Sequence, residues 1–254
     1  MKKFTQSQKE EILNLYDKMR VTDVRDGMDW MGYHHYGSMG PTMRPLWPTK
    51  AMGFAKTARY IPYDRPVPQG CIGEKYTEWS NWFYANVCIY PWIDEAEKYD
   101  MFCIDQSNLS VGLMGSMNSL IPIALKGASG YVIDGGIRDT DEVIAEKIPV
   151  WSKKRIQPMD QARIQYENHN CKINLDGVCV NPGDFVVADG DGVIVVPADM
   201  VYDVAKYAAQ EMNHDKPERK WLYLRAGLDF DDSVDVELTD EFIAKMDANF
   251  GYKK

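Results

Sequence analysis

A run of alternating strand and helix signals between residues 99 and 151 constrains the fold of this chain more than any other feature. Tyr99 to Ile104 is strand-like and ends at Asp105. Leu120 to Leu125 is an apolar helical run. Asn118 or Ser119 is its expected cap, and Pro122 then falls in the first turn, where a missing N–H costs little. Gly127 supplies a helix stop. Tyr131-Val132-Ile133 reads as a short buried strand, Gly135-Gly136 as a tight loop, Asp139 to Lys147 as a second helix and Pro149-Val150-Trp151 as another strand. This β-α-β-α-β alternation predicts the α/β class.

The flanking segments have simpler patterns. Residues 6–20 carry Ile12, Leu13, Tyr16 and Met19 at helical spacing, and Thr22 or Asp23 is the expected cap of a second helix reaching Met31. Residues 52–60 alternate as a strand. Residues 172–197 read as consecutive strands joined by Asn181-Pro182-Gly183-Asp184 and Asp189-Gly190-Asp191-Gly192, with a helix over 199–213 capped by Asp199. Residues 61–98 stand apart: a Pro- and Gly-rich opening leads into Trp79, Trp82, Phe83, Tyr84, Tyr90 and Trp92. Of these, Trp79, Trp82, Tyr84 and Trp92 would either stack on a sugar or aromatic ring at a pocket mouth or, the favoured reading, pack a subunit contact or cover a sheet edge.

Composition narrows the function classes. The chain has 254 residues and a net charge of −9, which suits one elaborated domain and lacks the basic footprint of a nucleic-acid or anionic-membrane binder. No apolar stretch is long enough for a transmembrane helix, and Met1 to Glu11 lacks the apolar core of a signal peptide, so a cytoplasmic protein is expected. Five scattered cysteines without a Cys-x-x-Cys pair read as reduced thiols. His34-His35 reads as a surface loop, and the acidic run over 229–247 lacks the spacing of a calcium loop.

The chemistry-bearing string is Asp134-Gly135-Gly136-Ile137-Arg138-Asp139, between a buried strand and a helix. Ligands of α/β folds favour this end of a strand. Arg138 offers a planar fork of donors to a carboxylate. Asp139 can hold a hard divalent cation. Side by side they suit a 2-oxo acid: the Arg takes the carboxylate, and a metal on the Asp polarises the keto oxygen and stabilises an enolate after C–C cleavage. The helix start at Gly115-Ser116-Met117-Asn118 would add backbone amides for the anion. The plainer alternative is a surface ion pair and an N-cap.

Four blocks together resemble the RraA-like family, which shares its fold with the 4-hydroxy-4-methyl-2-oxoglutarate/4-carboxy-4-hydroxy-2-oxoadipate aldolases. They are Val21-Thr22-Asp23-Val24 with Gly27; Met43-Arg44-Pro45-Leu46 through Thr57; Met114-Gly115 with Ala124 to Gly127 and Gly130 to Asp139; and Gly177 to Asp184 through Ala188 to Pro197. The resemblance implies a swivelling β/β/α domain, here over residues 1–219, with an aromatic-rich insertion at 61–98 and an acidic C-terminal extension at 220–254. It implies a homotrimer, or a hexamer of two trimers, with active sites at subunit interfaces. It further implies a lyase that uses Mg²⁺ or Mn²⁺ to cleave or decarboxylate a small anionic oxo acid or a sugar-derived relative. Arg138 and Asp139 would be catalytic, with Gly115, Ser116, Met117, Asn118 and Arg138 binding substrate and Asp139 and Glu142 holding the metal. Met117 stands where the aldolase pattern has an acidic residue that supports metal-bound water, which leaves Ser116 or Asn118 as its substitute, a different base, or a different reaction on the same metal platform. The family also contains non-catalytic regulators that bind a ribonuclease. Metal-assisted elimination or hydration of a keto-sugar is a third reading.

Overall fold

The structure is a computed structural model describing residues 3–252; for Met114 and residues 116–119 it describes the backbone alone. The helices are α1 (Gln6–Tyr16), α2 (Val21–Trp30), α3 (Glu74–Asn86), α4 (Pro91–Asp94), α5 (Ser116–Lys126), α6 (Thr140–Ala145), α7 (Val201–Ala226) and α8 (Asp240–Phe250). The strands are β1 (Arg44–Pro45), β2 (Ala51–Pro62), β3 (Asp100–Asp105), β4 (Gly112–Met114), β5 (Gly130–Ile137), β6 (Val150–Arg155), β7 (Ile164–His169), β8 (Ile173–Leu175), β9 (Val178–Val180), β10 (Phe185–Asp189) and β11 (Gly192–Val196). The main sheet runs β1-β6-β5-β3-β2-β10-β11, with β4 also on β5 and β7 also on β2.

The centre of this sheet is parallel, from β2 through β3 and β5 to β6. Its two ends approach each other through the segment before β1. Ser38 bridges Ile194 of β11, Arg44 pairs with Ser152 of β6, and the Arg44 guanidinium donates to the carbonyl of Asp191. The result is a mixed α/β fold with a nearly closed, barrel-like sheet.

Strand periodicity of two sorts the side chains into an inside and an outside. Met101 and Cys103 of β3, Val132 of β5, Val186 and Ala188 of β10, and Val193 and Val195 of β11 fill the interior with Trp151 and with Ile173 to Val180. Their neighbours Phe102, Ile104, Tyr131 and Ile133 face a second core under α3 to α6. Phe185, Val187, Ile194 and Val196 face a third under α1, α2 and α7. The rings carrying polar tips are satisfied: Trp151 Nε1 donates to Asp189 O at 2.8 Å, and Trp92 Nε1 to Tyr60 Oη at 2.8 Å. A buried indole N–H without a partner would be destabilising.

Several sequence expectations need correction. Gly135 and Gly136 do not form a loop; β5 runs through both. They are glycines because neighbours press on the strand: a Cβ on Gly135 would lie 2.6 Å from Gln106 Cβ, and one on Gly136 2.6 Å from Ile156 Cδ1. Helix α5 starts a turn earlier than expected, with Gly115 rather than Asn118 or Ser119 at its N-cap, so Pro122 lies inside it. Leu120 and Ile123 pack on the core beneath and hold it despite the bond lost at Pro122. Helix α2 starts at Val21, so neither Thr22 nor Asp23 is its N-cap; Asp23 instead accepts the Arg20 backbone N–H at 2.8 Å. The N-cap of α7 is Met200, not Asp199, and the helix continues past residue 213 and through Pro217. Trp221 holds this longer end against α8, with Nε1 2.9 Å from Asp247 Oδ1. Among the described residues no helix is long and apolar enough to cross a membrane.

Candidate active site

Strand β5 ends at Ile137, and the next two residues project from the carboxyl end of the sheet. Asp139 occupies the N-cap position of α6, at φ 54° and ψ 40°. That left-handed geometry is unusual for a residue with a side chain, though Asp tolerates it better than most. The carboxylate makes no capping bond to α6. It accepts instead from Arg138 Nε at 3.2 Å and lies against Gly115. A Cβ on Gly115 would fall inside the contact distance of Asp139 Oδ2, and one on Gly112 would lie 2.9 Å from Arg138 Cγ. The two glycines are thus the seats of the two side chains. Arg138 and Asp139 remain 30% and 39% exposed, open to a ligand.

Both line a cavity of about 720 Å³ together with Gly112, Leu113, Gly115 and Glu142. Glu142 stands in the first turn of α6. The ion pair and N-cap position expected as the plain alternative are both present, and they coexist with a pocket. The side chains of Ser116, Met117 and Asn118 lie outside the described residues.

The remaining lining was not anticipated as a unit: Tyr84 of α3, Tyr90, Met159 and Asp160. Asp160 is 3% exposed. Its Oδ1 accepts the Tyr84 hydroxyl at 2.5 Å, its Oδ2 accepts the Tyr90 hydroxyl, and Cys88 Sγ lies 3.8 Å from Oδ2. Burial raises the pKa of all three neighbours, and the nearby carboxylate adds to the effect. The aromatic segment therefore divides its work. Trp92 and Phe83 are fully buried core, Trp79 packs against Phe83, and Trp82 is 46% exposed. Tyr84 and Tyr90 face the pocket. Glu74, Lys75 and Glu78 do not line it. His34 sits 3.4 Å from Asp29 beside a different cavity.

Asp160 carried little sequence signal. It follows Pro158-Met159 in a loop with no spacing motif around it. Two pocket-lining tyrosines on a segment rich in aromatics were the only available hint.

Residues 19–195 match the family model described as RraA-like: Aldolase/RraA. The chain belongs to the RraA-like family. Among curated relatives, this RraA-like chain is 32% identical over 126 residues to an uncharacterized protein of Methanocaldococcus jannaschii, covering 50% of this chain and 57% of that one. It is 26% identical over 135 residues to a Halalkalibacterium halodurans protein named "Putative 4-hydroxy-4-methyl-2-oxoglutarate aldolase", covering 53% of this chain and 64% of that one. The chain spans less than two thirds of the length of the first curated relatives it matches. A crystal structure of Streptomyces coelicolor RraAS2, described as an unusual member of the RNase ES inhibitor RraA protein family, matches with a TM-score of 0.67 at 20% identity, covering 86% of this chain and 98% of that one. At that identity the likeness establishes the RraA-like fold.

Proposed function

We propose that this RraA-like chain is a divalent-metal-dependent lyase that cleaves or decarboxylates a small oxo acid or a sugar-derived relative. The observation that carries this reading is the seating of Arg138 and Asp139 on Gly112 and Gly115 within one cavity that also holds Glu142. The relatives named for aldolase activity agree with it.

The residues fit a hard cation. Asp139 and Glu142 present oxygen donors to the same space, while no group of three His, Cys, Asp or Glu among the described residues is placed to hold a metal. A cation held by one or two carboxylates, with water and substrate completing its shell, is the arrangement Mg²⁺ accepts. Once bound there, the ion would supply Lewis-acid polarisation of the substrate carbonyl. Arg138 takes the substrate carboxylate through paired N–H donors and fixes its orientation. Retro-aldol cleavage and decarboxylation both leave an electron pair beside that carbonyl, and the guanidinium charge stabilises it. The carboxylate of Asp139, bonded to Arg138 Nε, holds that fork in place. We take the active form to be a trimer, or a hexamer made of two trimers, with the site at a subunit interface.

Pyruvate release from oxaloacetate and from a 4-hydroxy-2-oxo acid tests the reading. Turnover is expected with added Mg²⁺ or Mn²⁺ and lost with EDTA. Asp139→Ala should lower it by at least about 100-fold, the scale of removing one transition-state-stabilising group. Full metal-dependent turnover by Asp139→Ala would remove Asp139 as a ligand. Silence of the intact protein on both substrates, together with a stable protein partner in pull-down, would favour a non-catalytic regulator instead.

A further inference from the structure

The lyase reading leaves one role unfilled: the group that removes the proton from a substrate hydroxyl when a C–C bond is cleaved. We propose that Asp160, acting through the hydroxyls of Tyr84 and Tyr90, is the terminal acceptor of that proton.

The argument starts from the partners of Asp160. A carboxylate this buried is usually paired with a cation. Among the described residues no Lys, Arg or His pairs with Asp160; its partners are two tyrosine hydroxyls and a thiol. Each tyrosine has a single proton to donate, and both donate it to the carboxylate. The Tyr84 oxygen is then left as a hydrogen-bond acceptor in the pocket lining, while the Tyr90 oxygen already lies 3.7 Å from the Cys88 thiol, which can donate to it. Donation to a carboxylate polarises such an oxygen and strengthens it as an acceptor. What fits this part of the lining is a donor, and a substrate hydroxyl is one.

The proton path follows the same line. The substrate O–H proton moves to Tyr84 Oη as the proton of Tyr84 moves to Asp160 Oδ1, 2.5 Å away. The O–H electron pair becomes the new C=O bond. The C–C bond pair passes to the carbon next to the keto group. That carbon takes the proton back from Asp160 by the same route, so the enzyme ends as it began. The raised pKa values of both tyrosines suit a concerted transfer, because no tyrosinate has to persist. Tyr90, on Oδ2, offers a second oxygen at the same carboxylate.

The proposal rests on the lyase reading, and two substrates separate the failure of each. Retro-aldol cleavage of a 4-hydroxy-2-oxo acid requires loss of a hydroxyl proton; decarboxylation of oxaloacetate does not. Tyr84→Phe keeps the ring and removes only the hydroxyl, so it is informative even where Asp160→Asn fails to fold. In the full-length, metal-loaded protein, Tyr84→Phe and Asp160→Asn should lower kcat for cleavage at least tenfold more than kcat for decarboxylation. Tyr84→Phe/Tyr90→Phe should widen that ratio further. Equal losses on the two substrates, or unchanged cleavage, would overturn the relay while leaving the lyase intact. No turnover of either substrate by the unaltered protein would overturn the lyase reading itself, and the relay with it.

Discussion

Asp139 shows how much a single backbone conformation can decide. Its left-handed φ and ψ turn the carboxylate away from the amides it would otherwise cap and toward Gly115. Gly115 itself has φ −143°, ordinary extended backbone, so its lack of a side chain is a matter of space. Gly115→Ala is therefore expected to displace the carboxylate with little change in unfolding midpoint. A shift on the order of 1 Å at a reacting centre costs about 100-fold in rate; kcat/KM and a thermal melt on the same sample check both halves. Arg138 and Asp139 were legible in the sequence because they are adjacent at a strand–helix junction, where chain order and space coincide. Asp160 was not, because its partners Tyr84 and Tyr90 lie 76 and 70 residues earlier. Nothing local marks a contact made over that distance.

At the scale of elements, the pinning of the aromatic segment is instructive. Glu95 closes α4 and accepts from His169 Nε2 at 3.0 Å, Lys56 Nζ at 3.1 Å and Asn170 Nδ2 at 2.9 Å. It thereby ties α4 to β2 and to the end of β7. The hydrogen bond from His169, then that from Lys56, hold its pKa down to about 2. A depressed carboxylate adds stability that is present above its unfolded value and lost as pH falls through the folded one. Wild type should exceed Glu95→Gln in stability by less than about 1 kcal/mol, since the group is solvent-screened. That gap should close between about pH 5 and about pH 2, read from urea midpoints of the two proteins. The strands and helices themselves were largely readable, since periods of 2 and 3.6 are local properties. Helix α3 and strand β7 were not read at all, and Gly135-Gly136 looked like a turn because two glycines usually make one, whereas here Gln106 and Ile156 crowd a continuous strand.

For the whole molecule, the question is whether the aromatic segment is an appendage or part of the fold. Trp92 answers it. The ring is fully buried against Phe102 and Tyr131 of the central strands, and its N–H reaches Tyr60. Trp92→Ala should destabilise the protein by about 3–5 kcal/mol. The loss should appear in a single cooperative transition, seen at one urea midpoint by both tryptophan fluorescence and far-UV circular dichroism; two separated transitions would make the segment an independent unit. The near-closure of the sheet was not legible, because it depends on Ser38 meeting Ile194 across most of the chain. The cavity draws Arg138 and Asp139 from one stretch of sequence and Tyr84 and Tyr90 from another, and both stretches pack on the same core cluster, the first through Ile137 and Val143. A change at residue 84 or 90 therefore remakes one wall of the cavity while Arg138 and Asp139 keep their seats on Gly112 and Gly115, so the pocket has one wall that can be redrawn and one that the backbone holds fixed.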